Sequence, residues 1–511
     1  MSDNSSLLKA LVIYAVCLPL AIFLGYLMAT PEDLSNEGVI GGVLVLLAFP
    51  LLMRWHHALL VVCWNMVALA FFLPGRPPVF LPACAMSLLL GILHYILNRR
   101  QRIPQVPALV WPMLALTFVV LVTAYFTGGM GIRAVGSATY GGKRYIFVLA
   151  AIAGYFALTS QSVSPERAPL YAKLYFLSQG TLIIGHLFSY ISPSFYFIFL
   201  VFPADFGGWL SMSSDPNGAD LERMAGLSIA ALAFCLCLLA LYGVRGVLDF
   251  RRPWRVVLFL VCTGITLFGG FRSNLILLGL VFGLQFCLEG LYRTRLLPIL
   301  LFMGLILGVG GLPFVRQMPL SVQRTLSFLP IEVDPVASSD AEGSTQWRVD
   351  MWYRVLPEVP KHLLLGKGYG IDPAAIDAIT LAVQSHLPGV DRFEGSMIAG
   401  DYHSGPLSVV LPLGIWGLLA FLWLLYAGGK ALYQNYAYGD ARLKNINALL
   451  FCYFVAKAFS FFFIFGSLFS DLAGFTGILG MSVCLNNGVR VPVRVPVIRQ
   501  APARFRFANA T

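Results

Sequence analysis

The chain has 511 residues, of which 58% are hydrophobic and only 12% charged, and its mean hydropathy is +0.78. No soluble domain of that size hides so much apolar surface, so the composition excludes a soluble globular protein and predicts an all-α, polytopic transmembrane helix bundle. The formal net charge of +11 would suit nucleic acid, but the basic residues flank apolar runs, which excludes that partner and points to the lipid bilayer.

The first apolar run, Leu8 to Met28, is too long for a signal-peptide core and has no convincing small-residue cleavage site, so it reads as a span that is kept. Further runs follow at 38–53, 57–73, 79–97, 108–126, 144–159, 170–190, 225–243, 255–271, 273–289, 296–314, 405–427, 447–464 and 467–487. Most approach the ~20 residues that a bilayer demands, giving about fourteen spans. The stretch 38–53 is short and carries Pro50, and 144–159 is also short, so about 12 to 14 spans are compatible with the pattern. The nine cysteines all lie within apolar runs and read as small core residues, with neither a disulfide framework nor a metal site.

The charges orient the bundle. Arg54, the run 98–102, Arg245, Arg251, Arg252, Arg255, Arg293, Arg295, Lys430, Arg442, Lys444 and the tail arginines fall on one side, which the positive-inside rule makes cytoplasmic. Both termini are then cytoplasmic. The expected organisation is a first part of the bundle at 1–314, a periplasmic loop with amphipathic helices at 315–404 between the eleventh and twelfth spans, the last part of the bundle at 405–487, and a basic tail at 488–511 that anchors beside anionic lipid.

Four places on the outer side carry more polar chemistry than a bare loop requires. In "LFGGFRSNLILLGL", Arg272 is held by a tight glycine turn between two apolar runs, placed for a fixed anion, or else for snorkelling to headgroups. In "STQWRVDMWYRVLPEVPKHLLLGKGYGID", Ser344 can cap a helix that Pro357 stops, with Trp347, Met351 and Val355 on one stripe, Arg348 and Trp352 four apart, and Asp350 four before Arg354. Such a helix suits the membrane surface, its arginines aimed at a lipid-linked anion; the plainer reading is an ordinary amphipathic loop helix. The next stretch, Gly366–Gly370, lacks phosphate-loop spacing and reads as a tight turn back to the bilayer. Arg223 sits two residues before a span, as a snorkelling anchor or an anion ligand. Finally, His403 in "AGDYHSGPLSVVLPLGIWGLL" stands at the entry to a span, where an imidazole can accept a hydroxyl proton, although a lone interfacial histidine is more often structural. Within the spans, Lys457 and Asp471 read first as a structural ion pair.

Taken together, Arg223 in "ERMAG", Arg272 in "GGFRSN", Arg348 in "STQWRVDMW", the turn "GKGYG" and His403 in "YHSGPLSVVLPLGIWGLL" resemble, in order and rough spacing, the O-antigen ligase and polymerase superfamily from residue 120 to 430. The chain departs from that pattern at Ser404, where the family usually has asparagine, and at Phe271, where it usually has serine. The resemblance implies a metal-independent, inverting membrane glycosyltransferase of the bacterial inner membrane, working on the periplasmic face without a cofactor. It implies an undecaprenyl-pyrophosphate-linked glycan as donor and a lipid or sugar hydroxyl as acceptor, with outer arginines on the pyrophosphate and the histidine assisting the acceptor.

Negative charge builds on the leaving phosphate as glycan leaves a pyrophosphate donor, and a guanidinium binds phosphate oxygens two at a time and stays charged. Arg223, Arg272 and Arg348 are therefore expected on the pyrophosphate, with Arg133, Lys143 and Arg144 of "TGGMGIRAVGSATYGGKRY" as helpers. His403 is the expected base or orienter, and Asp401 either holds its tautomer or is an exposed loop carboxylate. The closest rival is a polymerase with the same donor chemistry. A lipid or glycan transporter is the rival of another class, but it would carry charges deep in several spans, and Lys457 is the main one here.

Overall fold

A computed structural model describes residues 34–73, 75–97, 104, 106–131, 140–203, 223–371, 373–374, 396–397 and 400–492, together with Ile22 and Gly25. Arg133, the expected first span beyond those two residues, and the tail from 493 onward lie outside the described residues. Among the described residues the chain is helical, and two isolated bridges, Leu69–Pro78 and Tyr140–Ile371, are the extended pairings. The helices are α1 Leu34–Asn65, α2 Phe80–Leu97, α3 Pro107–Thr127, α4 Gly142–Thr159, α5 Ala168–Leu177, α6 Leu182–Ile191, α7 Ala225–Val247 and α8 Pro253–Leu267. There follow α9 Arg272–Leu288, α10 Leu296–Gly311, α11 Leu320–Leu326, α12 Pro335–Val355, α13 Gly405–Tyr438, α14 Lys444–Phe463 and α15 Leu468–Asn486. Among the described residues, six stretches are long and apolar enough to cross a membrane: Phe80–Leu97, Pro107–Thr127, Ala225–Val247, Gly405–Tyr438, Ala441–Phe463 and Leu468–Asn486. Pro253–Leu267, Arg272–Leu288 and Leu296–Gly311 are shorter apolar helices.

Two expected boundaries differ. The runs 38–53 and 57–73 are not separate helices: α1 continues through Pro50 and Arg54 and ends at Asn65. Arg54 and the histidines after it are compatible with helix, so a charge between apolar runs did not mark a loop. Buried His56 and His57 instead tie α1 to its neighbours, through Ser87 Oγ at 2.9 Å and the Leu158 carbonyl at 2.8 Å. The run 170–190 is also interrupted, by a 3-10 turn at Ser178–Thr181 between α5 and α6.

The core of the bundle is apolar and closely packed around Tyr155, Tyr175, Phe421, Phe461 and Phe475. Lys457 of α14 donates to Asp471 of α15 at 2.7 Å, and Asp471 also accepts from the Ser467 amide at 2.9 Å, so the two charges inside the expected spans are an ion pair that caps α15. Farther along the same helices Asn435, Asn447, Ser482 and Asn486 form a buried network with bonds of 2.8 to 3.0 Å that staples α13, α14 and α15 together. Near this end a cavity of about 840 Å³ is lined by Arg245, Arg251, Glu289, Tyr436 and Lys444. There α7 breaks its helical geometry at Gly243, and Glu289 accepts from the freed amides of Val244 and Arg245 at 2.8 and 2.9 Å. The carboxylate at that cavity thus has a structural task.

At the other end α13 is kinked. Pro412 cannot donate, and Gly414 at φ 66° leaves the helical region, so carbonyls and an amide of this turn lose their helical partners. The glycine turn supplies them: Lys367 and Gly368 donate to the Leu411 and Pro412 carbonyls at 2.6 and 3.0 Å, and Ile415 donates to Leu363 at 2.7 Å. A Cβ on Gly366, itself at φ 84°, would stand 2.4 Å from the Pro412 oxygen. The turn "GKGYG" is therefore locked against the entry of α13, which begins two residues after His403.

Candidate active site

Three helix starts meet at this end. Arg223 lies two residues before α7, Arg272 is the first residue of α9, and His403 lies two before α13. Because α8 returns antiparallel to α7, the Met224 amide bonds the Phe268 carbonyl at 3.2 Å, which sets Arg223 beside the glycine turn preceding Arg272. The fourth element is α12, and here the expected cap is corrected. Asp334 caps the helix, accepting from the Val336 amide at 2.8 Å with Pro335 in the first position, so the helix starts nine residues before the boundary expected at Ser344. Met351 and Val355 are buried against Tyr402, Leu407 and Leu411, with Trp347 packed alongside, as the apolar stripe predicts. That docking turns the 341–345–348 side of α12 toward the arginines.

The result is a cavity of about 770 Å³ whose walls include Arg223, Arg272, Arg324, Arg348, Trp347, Trp352, His403 and Phe465. Its size suits a substantial ligand. Arg223, Arg272, Arg348 and His403, spread over 180 residues of sequence, are thus brought together. Arg324, which the sequence reading did not single out, is the most buried of the four guanidiniums, its side chain 6% exposed. It donates to the Gly270 carbonyl and to Asp340, and Arg223 donates to the same Asp340 oxygen at 2.9 Å. Arg272 is held by the Ala341 carbonyl at 2.9 Å and the Thr345 hydroxyl at 3.1 Å. Neither Arg272 nor Arg348 forms an ion pair with a described residue.

Burial, and after it the neighbouring positive charges of Arg272 and Arg324, push the Arg348 guanidinium below its ordinary range. Burial and then Arg324 do the same to Arg223, against the pull of Asp340. Four guanidiniums line this cavity, two of them are the second cause of the shift at Arg348, and an anion entering it would offset their mutual repulsion.

His403 has a left-handed backbone, φ 49°, uncommon for a residue with a Cβ. Its ring lies edge-on to Trp347 and Phe465, with centroids 4.6 and 5.1 Å away. Nδ1 faces Asp401, 3.4 Å from its carbonyl and 3.3 Å from its carboxylate oxygen, and the residue is part of the cavity wall. The Asp401 carboxylate oxygen is close to the imidazole but makes no hydrogen bond to it.

Lys143 and Arg144 are elsewhere. Lys143 Nζ lies 5.9 Å from the Phe147 ring centre, and Arg144 sits between Tyr369 and Phe469 at 5.9 and 5.1 Å. Arg144 lines a small separate pocket with the glycine turn, Gly400 and Tyr402, behind the loop that carries His403.

A family model described as O-antigen ligase matches residues 258–422, which include Arg272, Arg324, Asp340, Arg348 and His403. A search of curated proteins finds no match. The chain is accordingly a polytopic helical membrane protein that carries, over residues 258–422, a region similar to O-antigen ligase.

Proposed function

We propose that the protein transfers a glycan from an undecaprenyl-pyrophosphate donor to an acceptor hydroxyl at the periplasmic face of a bacterial inner membrane, as an O-antigen ligase. The observation that carries this reading is the single cavity lined by four arginines and His403. Arg223, Arg272, Arg324 and Arg348 hold the pyrophosphate, and the tryptophans beside them give the first sugar an apolar wall. The acceptor oxygen attacks the anomeric carbon opposite the leaving group and the hydroxyl proton passes to His403 Nε2. The carbon–oxygen bond to phosphate breaks and its electron pair leaves with undecaprenyl pyrophosphate, so the anomeric configuration inverts. Charge accumulating on that phosphate is met by guanidiniums already in place, which favours the transition state over the bound donor. These arginines supply the positive charge that a metal ion supplies elsewhere. The periplasmic assignment rests on the basic residues near the opposite end, Arg245, Arg251, Arg293 and Lys444, about 30 Å away along α7.

Purified protein in nanodiscs, given undecaprenyl-pyrophosphate-linked glycan and lipid A core, is expected to release one undecaprenyl pyrophosphate per glycan transferred. Absence of both products would contradict the reading. A polymerase shares each step up to the acceptor. Deletion of a ligase leaves the surface acceptor with no repeat units, whereas deletion of a polymerase leaves it with one.

A further inference from the structure

Asp340 is in contact with the cluster without being one of the cavity walls. Its Oδ2 accepts from two guanidiniums, those of Arg223 and Arg324, which are 101 residues apart in sequence, while the next residue's carbonyl accepts from Arg272. On the same helix, Thr345 also holds Arg272, and Arg348 follows one turn on. One face of α12 thus reaches all four arginines: it anchors three from behind and carries the fourth.

The charges explain why such an anchor is required. Four guanidiniums around one cavity repel each other, and a long flexible side chain answers repulsion by swinging outward. A carboxylate shared by two of them from behind removes most of the repulsion between that pair and consumes only one Nη of Arg223 and the Nε of Arg324. Arg324 Nη1 is also spent, on the Gly270 carbonyl, so what the pair can offer the cavity is Arg223 Nη1 and Arg324 Nη2.

We propose that Asp340 is a positioning residue for the transfer reaction, aligning Arg223 and Arg324 on the leaving pyrophosphate. This rests on the reading of the cavity as the donor site. It separates alignment from attraction. Removing the carboxylate makes the cavity more positive by one charge, so a pyrophosphate is drawn in at least as strongly, but the two guanidiniums no longer share one geometry when the phosphate leaves.

The test uses full-length protein in nanodiscs with the undecaprenyl-pyrophosphate-linked donor, comparing wild type with Asp340→Asn and Asp340→Glu. Asp340→Asn is expected to lower kcat at least tenfold with KM for donor unchanged or reduced, and to keep the wild-type elution profile. Asp340→Glu, which keeps the charge but moves it by a methylene, is expected to fall between the two. A role only in folding would instead lower the amount of active protein at constant kcat per folded molecule. The inference is overturned if Asp340→Asn turns over within twofold of wild type, or if its KM rises while kcat is kept. Should Asp340→Asn fail to accumulate, wild-type kcat in Asp340→Glu overturns it equally. A wild-type protein without transfer activity sinks the donor-site reading and this inference with it, whereas active wild type with an equally active Asp340→Asn sinks this inference alone.

Discussion

His403 joins two properties that a substitution can separate, a left-handed backbone and an imidazole on the wall of a cationic cavity. Asparagine tolerates that backbone better than most residues, so His403→Asn is expected to fold normally yet lose on the order of 10²- to 10⁴-fold in kcat, the range of general acid–base help. Normal turnover by His403→Asn would assign the histidine to structure. Arg348 allows a test by pH. Its surroundings push a guanidinium down, and the same burial and positive neighbours act on an ammonium, which starts from a lower range. The charged form is lost as pH rises, so transfer by Arg348→Lys is expected to decline at a pH where wild-type activity still holds. Parallel pH profiles would contradict this account of the site's potential. Arg223, Arg272, Arg348 and His403 were legible because each is a lone polar residue at the edge of an apolar run, where the surroundings make it conspicuous. Arg324 and Asp340 were not, because both lie in a stretch where charge is ordinary and only folding reveals that they meet. Arg144 was misplaced for the converse reason: closeness to a helix start does not tell that Tyr369 and Tyr402 stand beside it, away from the cavity.

Among the elements, α12 and the glycine turn decide whether the site exists. The helix start is marked in "EVDPVASS", where Asp334 and Pro335 make a stronger signal than Ser344, but the amphipathic stripe that draws a boundary to Ser344 begins only at Trp347. Asp334→Ala removes the cap and is expected to cost about 1 kcal/mol in helix stability, seen as faster amide exchange over the first turns of α12. Unchanged exchange there would contradict the capping role. The turn "GKGYG" was legible as a turn, but its partner was not, since the Pro412–Gly414 kink lies inside what reads as an unbroken apolar run. Gly366→Ala forces a Cβ against the Pro412 carbonyl and is expected to destabilise the loop by about 2 kcal/mol or more, lowering transfer by displacing His403 rather than any arginine.

At the scale of the whole molecule, the composition made a helical membrane bundle plain, while the joining of two expected spans into α1 shows what hydropathy misses. A polar residue between apolar runs need not mark a loop when neighbouring helices offer it partners: Ser87 and Gln161 bond both ring nitrogens of His56, and the Leu158 carbonyl bonds one of His57. The Lys457–Asp471 pair is read as a structural clamp at the site's end of α14 and α15, not as part of a transport route. Lys457→Met alone is expected to destabilise the bundle by about 3 kcal/mol by stranding Asp471, and the double variant Lys457→Met/Asp471→Leu to recover most of that loss while still transferring glycan. An inactive but stable double variant would give the pair a functional role. Distant arginines and one histidine are proposed to act as a single donor site. Its most direct test is glycan transfer from undecaprenyl-pyrophosphate-linked donor by Arg272→Ala, Arg348→Ala and His403→Ala in nanodiscs at equal protein levels. Each is expected to lose about a hundredfold or more in rate, as for removal of a key transition-state contact. Near-normal transfer by any two of the three would contradict it.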